Sequence, residues 1–299
     1  MKVKIIADSY NEDFDSRVTT FELEYPRFIH AELMTHRLFS RNAASSRAIP
    51  VQAVIDMIKV QPAMPVHWGA NQPGMQAKGE VKDTEAARLS WIAAANTAVS
   101  HAQVMKDMGL HKQVVNRILE PYQMMKTVVT STCFNNWFWL RNHEDADPTI
   151  KALASEMLNA FNESLPSNLF KNEWHLPYVF SARDMVVGEQ IFLDDKLERL
   201  SLDMAKMISA SCCAQVSYRK NDASTEKAEM VYGRLIESEP VHASPVEHQC
   251  SPIMYTFNPM DYFDIEGVTS VDKNRTPWSG NFHGWIQMRQ LIKNNSKVY

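Results

Sequence analysis

Between Val18 and Tyr25 apolar and polar side chains alternate, and behind Pro26 the apolar residues move to helical spacing. This change of period constrains the fold most, because a half-buried strand needs other elements to cover its apolar face. Val3 to Ala7 reads as a second, short strand. Opened by Pro26, the segment RFIHAELMTHRLF reads as a helix with Phe28, Ala31, Met34 or Thr35 and Leu38 along one side. Glu32, His36 and Ser40, at steps of four, then share another side, which is polar. Further helices are expected over 85–108, from Pro121 through 140, over 148–160, 200–213 and 224–237, and over 281–293 at the chain end. The stretch from Pro62 to Lys82 is rich in Pro, Gly, Gln and Asn without periodicity, so 58–83 is expected to be a loop or lid, and 250–278 to be irregular strands and turns. Strands mixed with long helices make the chain α/β or α+β in class.

With 299 residues, 45% of them apolar, the chain can bury a sizeable core, as one large domain or two ordinary ones. Its first residues turn acidic before any long apolar run, and no window approaches the uncharged length of a membrane span. A soluble protein with no membrane partner is therefore expected. A net charge of -4 argues against nucleic acid as partner, since that affinity rests on many Lys and Arg side chains, but a small anion needs only a few local cations. The four cysteines, Cys133, Cys212, Cys213 and Cys250, form no CxxC pair and read as buried thiols of a reducing compartment, with cytoplasm as the expected location. His101, His111 and His175 lack HExxH spacing or clustered acids, so no metal site is indicated. The 17 methionines, scattered through helices, read as core fillers. No glycine-rich nucleotide loop is present, which excludes a Rossmann manner of cofactor binding.

From Thr35 to Pro50 the chain reads THRLFSRNAASSRAIP. Arg37, Arg41 and Arg47 offer charged forks of donors, and Ser40, Asn42, Ser45 and Ser46 offer short hydrogen bonds, a set suited to a phosphate. A solvated turn with capping serines would use the same residues.

The pattern HRxxSxNxxSxR, carried by His36, Arg37, Ser40, Asn42, Ser45 and Arg47, resembles the RHRxxSxNxxSxR signature of the flavin-dependent thymidylate synthases. Thr35 stands where that signature begins with Arg, and Ala43 where an acidic residue often follows the Asn. A second stretch, NRILEPYQMMKTVVTSTCFNNWFWLRNHEDADPTIKALA, is similar to the family's later region. A third, AQVSYRKNDASTEKAEMVYGRLIESEPVHASPVEHQ, resembles the usual opening of the family chain yet follows the other two here. That order implies a single domain over 1–299 with permuted motifs, which a compact domain with neighbouring termini tolerates; an independent second domain is the competing reading.

What the resemblance implies is specific. The fold would be a mixed or antiparallel sheet flanked by long helices. FAD would be bound by His36, Arg37, Ser40, Asn42, Asn136, Ser217 of the VSY element and His248 of the SPxEH element, with His248 near the isoalloxazine. Substrate dUMP would be bound by Glu32, Ser45, Arg47, Arg117, Arg141, Gln287 and Arg289. Gln287 and Arg289 in NFHGWIQMRQ stand at a spacing similar to the Gln and Arg that usually precede the main signature, where this chain has Glu32. The reaction implied takes a one-carbon unit from methylenetetrahydrofolate to C5 of dUMP, with NADPH as reductant, in a homotetramer. Arg141 would stabilise charge on the pyrimidine in a water-poor site, and with His248 it is the candidate for catalysis. Phe138, Trp137 and Trp139 beside it are expected to be core packing. No cysteine has the Pro-Cys-His context of the conventional folate enzymes, so covalent attack at C6 by a thiolate is not expected. Three rival outcomes remain open: 5-hydroxymethylation of dUMP, modification of dCMP, and a non-catalytic nucleotide-binding module.

Overall fold

β1 (Lys2–Asn11) and β2 (Ser16–Pro26) run antiparallel with Lys2 opposite Glu24 and Asn11 opposite Ser16, interrupted by one register shift between Ile5 and Ala7. The structure, a computed structural model, describes residues 1–217 and 220–296. After β2 come a 3-10 turn, Arg27–Ile29, and the four-residue α1 (His30–Leu33), then β3 (Ser40–Ala43). A helical layer follows, made of α2 (Val51–Val60), α3 (Thr84–Asp107) and α4 (Lys112–Val115). β4 (Met124–Ser131) returns to the sheet, and α5 (Asn135–Arg141) and α6 (Pro148–Glu163) lead to β5 (Ser167–Asn168). The sheet order is β3-β4-β2-β1-β5, antiparallel except for the parallel pair of β1 with β5. The architecture is therefore a mixed sheet with helices packed around it, α+β in class.

Beyond the sheet, β6 (Phe180–Arg183), β7 (Gln190–Leu193) and β8 (Arg199–Leu200) form an antiparallel meander, followed by α7 (Leu202–Ala214) and α8 (Thr225–Leu235). The chain ends through β9 (Cys250–Pro252), β10 (Ser270–Val271), β11 (Pro277–Ser279), β12 (Phe282–His283) and β13 (Trp285–Gln287). Among the described residues no helix is long and apolar enough to cross a membrane.

Alternation along the strands gives the large sheet two dry faces. Phe21, Leu23 and Tyr25 of β2 and Met125 and Val129 of β4 meet Ile150, Leu153, Ala154 and Met157 of α6 and Trp137 of α5. Those α6 positions recur at helical spacing, and Asp147 caps the helix by accepting from the Thr149 and Ile150 amides. On the other face Val18 packs with Leu169, Cys250, Phe282 and Trp285, and Val128 with Cys213 and Val216. A third cluster, Val54, Ile55, Ile58, Ala95, Val99, Ala102, Val115 and Leu119, lies within the helical layer. Cys212, Cys213 and Cys250 are buried and Cys133 half-buried, all as free thiols.

Three expected helices are corrected. The segment behind Pro26 holds only one turn of α-helix, and of its supposed apolar stripe only Phe28 packs against the core: Met34 and Leu38 are exposed, while Ile29, Leu33 and Phe39 are buried instead. Ser40 accordingly lies in an edge strand and not on the face of Glu32 and His36. The run behind Pro121 is β4, because Thr127, Val128, Val129 and Thr130 are all β-branched and fit a pleated surface between two neighbours. The closing segment 281–293 is two short strands and a 3-10 turn, Met288–Leu291. Gly284 breaks it at φ 73, where an added Cβ would come within 3.0 Å of Phe14 Cβ. Gly284→Ala is expected to destabilise the fold by about 1–2 kcal/mol from the left-handed backbone alone, read as a lower urea midpoint. Helix α2 was not anticipated.

Candidate functional site

Arg141, at the C-terminal end of α5, turns its guanidinium onto the turn that follows α1. Its Nη1 donates to Glu32 Oε2 at 2.9 Å, its Nη2 to Thr35 Oγ1 at 3.2 Å and its Nε to His36 Nε2 at 3.1 Å. Of the five N–H donors a guanidinium carries, two remain unspent among the described residues. Nε2 of His36 accepts, so that ring is neutral with its proton on Nδ1. The same state follows from its environment: burial first, then the charges of Arg141 and Arg41, push its pKa down to about 4. The imidazole is stacked on Phe39 and meets the edge of Trp137 at 4.9 Å between centroids. Burial raises the Glu32 carboxyl more than Arg141 lowers it.

Beside Arg141 opens a cleft of about 450 Å³ lined by Trp139, Leu140, His143, Asp145 and Ala146. Trp137 is fully buried and Phe138 packs at the core's margin, but Trp139 is 72% exposed, which corrects its reading as core. Its indole presents a free face to this cleft's surroundings. Asn136, one turn back on α5, is also exposed.

The signature segment is held from three sides. Asn42 donates to the Cys213 carbonyl at 3.0 Å, and the Ser45 amide donates to Ser217 Oγ at 2.9 Å. Asn116 donates to the carbonyls of Ser46 and Ile49, at 2.7 and 2.9 Å, and Lys112 to that of Ala48. Arg41 is spent on the Met34 and His36 carbonyls. Arg37 and Arg47, by contrast, are exposed, and among the described residues neither guanidinium has a hydrogen bond or ion pair. Arg117 is solvent-facing and pairs with Glu120, which also holds Arg27.

A different group sits on the opposite face of the sheet. Gln287 of β13 donates to Ser40 Oγ at 3.1 Å and to the Glu247 carbonyl at 3.0 Å, and Arg289 pairs with the Glu247 carboxylate. His248 is fully buried; its Nδ1 lies 2.8 Å from Thr130 Oγ1, and its Nε2 has no partner among the described residues. Burial, with some help from His175, pushes the His248 pKa down to about 3. Thr130 points away from the face that carries Val129, so the sheet stands between His248 and the Arg141 cluster.

Within one chain, then, Glu32, His36 and Arg141 converge, as do Ser45 with Ser217, and Ser40 with Gln287. Ser40, Asn42, Gln287 and Arg289 are engaged with protein partners, while Arg37, Arg47 and Asn136 face solvent. Thr35, Glu247 and His175 were not anticipated as participants. Thr35 emerges only as a hydrogen-bond acceptor of Arg141 and Glu247 only as the ion-pair partner of Arg289, and nothing in the local sequence marks His175.

The family model described as "Thymidylate synthase complementing protein" matches residues 4–167, more than half of the chain. No curated protein matches the sequence. Two solved structures of a UMP/dUMP methylase PolB from Streptomyces cacaoi are similar at 19% identity. The one bound with 5-Br dUMP has a TM-score of 0.41 over 49% of this chain and 66% of that chain, and the one bound with 5-Br UMP has 0.46 over 54% and 88%. With the family model matched over residues 4–167, the chain belongs to the thymidylate synthase complementing protein family.

Proposed function

We propose that this protein modifies C5 of a pyrimidine deoxynucleotide, transferring a one-carbon unit from methylenetetrahydrofolate to dUMP to give dTMP, with FAD as cofactor and NADPH as reductant. The observation that carries this reading is the half-buried guanidinium of Arg141, oriented by Glu32, Thr35 and His36 and still holding two unspent donors beside an open cleft. Uracil C5 becomes nucleophilic as negative charge develops on the ring, and a fixed cation at O2 or N3 stabilises that charge where water is scarce. Neutral His36 helps by accepting from Nε, which adds no competing positive charge beside the guanidinium.

The residues present fit a flavin and a nucleotide. Among the described residues Arg37 and Arg47 are cations without protein partners, suited to phosphate oxygens; Trp139 is exposed beside Arg141, and Asn136 is exposed on the same helix. Arg37, Asn136 and Ser217 would hold FAD, and Ser45, Arg47 and Arg117 the nucleotide phosphate. Reduced flavin supplies the electrons and the carrier for the one-carbon unit. Every other task falls to this chain: the arginines bind and orient, Arg141 polarises the base, and Trp137 and Phe39 keep water from the rear of the cluster.

The clamp between Ser45 and Ser217 supports a single domain with permuted motif order, and His248, separated from Arg141 within one chain, is consistent with a homotetramer that assembles its sites between subunits. Incubating the purified protein with dUMP, methylenetetrahydrofolate, NADPH and FAD tests the reading by the mass of the product. A hydroxymethyl product or turnover of dCMP would redirect it, and nucleotide binding without turnover would overturn it. Arg47→Ala is expected to raise the nucleotide KM by about 10- to 100-fold with little change in kcat, the loss of one charge-assisted phosphate contact. An unchanged KM would remove Arg47 from the site.

A further inference from the structure

Five polar side chains run in an unbroken line through the interior of the large sheet's second face. Ser9 Oγ lies 2.9 Å from His175 Nδ1, and His175 Nε2 lies 2.8 Å from Thr20 Oγ1. Thr20 Oγ1 lies 2.7 Å from Thr130 Oγ1, its directly opposed neighbour on β4, and Thr130 Oγ1 lies 2.8 Å from His248 Nδ1. All five are buried, and beyond Nδ1 the line ends at His248 Nε2, a buried ring nitrogen without a partner among the described residues.

A hydroxyl has one hydrogen to give, so each threonine, placed between two partners, donates to one and accepts from the other. Among the described residues neither hydroxyl has another partner. Both imidazoles are neutral, because burial pushes their pKa values down, to about 4 at His175 and about 3 at His248. A neutral imidazole also donates from one nitrogen and accepts at the other. The whole line therefore runs in one direction or the other, and the two ends cannot choose independently.

The directions differ at His248. Run from Ser9 inward, Thr130 donates to His248 Nδ1 and the buried Nε2–H is left with no acceptor. Run outward, His248 Nδ1–H donates to Thr130, Thr130 to Thr20, Thr20 to His175 Nε2, and His175 Nδ1–H to Ser9. Only a bare acceptor is then left at Nε2. Orphaned buried N–H donors are rarer than under-satisfied acceptors, so the outward direction prevails.

We infer that His175 is a positioning residue which, through Thr20 and Thr130, fixes His248 as the Nδ1–H tautomer and leaves Nε2 as a bare acceptor. A group that meets Nε2 must then bring a donor: the N–H of a heterocycle suits it and a carbonyl oxygen does not. The inference concerns the chain's own hydrogen bonds and stands whether or not the nucleotide reading does.

Long-range proton–nitrogen correlation spectra of the full-length protein carrying 15N-labelled histidine test it, with His248→Gln used only to assign the signals. His248 is expected to show a protonated Nδ1 and an unprotonated Nε2, and His175 the same. Thr20→Val removes the middle hydroxyl without touching His248, so the two His248 nitrogen shifts are expected to move toward each other as both tautomers become populated. Thr20→Ser restores the hydroxyl and is expected to restore the wild-type pattern. Ser9→Ala, near the sheet's margin, is a second cut should Thr20→Val fail to fold; it leaves His175 Nδ1–H unpaired in the outward direction and is likewise expected to mix the tautomers. A wild-type His248 protonated at Nε2 would overturn the direction. His248 shifts that stay put in whichever of these folded variants is measured would overturn the linkage to His175.

Discussion

Arg141→Ala is expected to lower kcat for the pyrimidine nucleotide by about 100- to 1000-fold, the usual consequence of removing a fixed donor from developing charge, while barely moving the thermal unfolding midpoint. The two expectations separate because the side chain has two separate tasks. Its pair with Glu32 is partly exposed, at 21% and 39% of the side chains, and pairs so placed contribute no more than about 1 kcal/mol. The catalytic role proposed for it depends instead on a planar fork held by three acceptors at once. Arg141→Lys keeps the charge but can hold neither the three-way orientation nor two spare donors, so it is expected to recover only a small part of kcat. Steady-state kinetics with each variant, beside calorimetry, measures both quantities. A folded alanine variant with near wild-type turnover would end the assignment of Arg141 to the pyrimidine.

Trp137→Ala is expected to cost about 3–5 kcal/mol of folding stability, the range for emptying a fully buried tryptophan site. The ring is completely buried, packs at 5.7 Å on Phe39, and carries the edge contact to His36. Its loss should therefore loosen the platform under Arg141 as well as the core, lowering the urea midpoint and kcat together. Trp137→Phe is expected to recover most of the stability, because among the described residues the indole Nε1–H has no hydrogen-bond partner to forfeit. A denaturation midpoint for Trp137→Ala equal to wild type would mean that the ring is not where the core places it.

Local period and capping made β1, β2, α3, α6, α7 and α8 legible within a few residues at each end, as with Asp147 and Ser224 heading their helices. Where two readings share a residue pattern, tertiary context decided. Pro121 looked like a first helical position, yet the β-branched run behind it lies between β2 and β3. A short apolar run admits strand and helix alike, and only its neighbours settle which. At the candidate site the HRxxSxNxxSxR spacing singles out His36, which meets Arg141, and Arg47, which faces solvent. The partners of Arg141 lie about a hundred residues away and leave no local trace. Trp139 shows the limit of composition: three aromatic neighbours on one helical turn cannot all face inward.

The sheet's second face is roofed by residues that come late in the chain. Val18 waits for Leu169, Cys250, Phe282 and Trp285, and Val128 for Cys213 and Val216. During synthesis from the N-terminus, the portion matched by the family model would thus leave the ribosome with one side of its sheet still wet. A nascent chain halted near residue 167 would carry β1, β2 and β4 without the cover of their second face, and it would be prone to pair with other chains until translation of the last strands closed the roof.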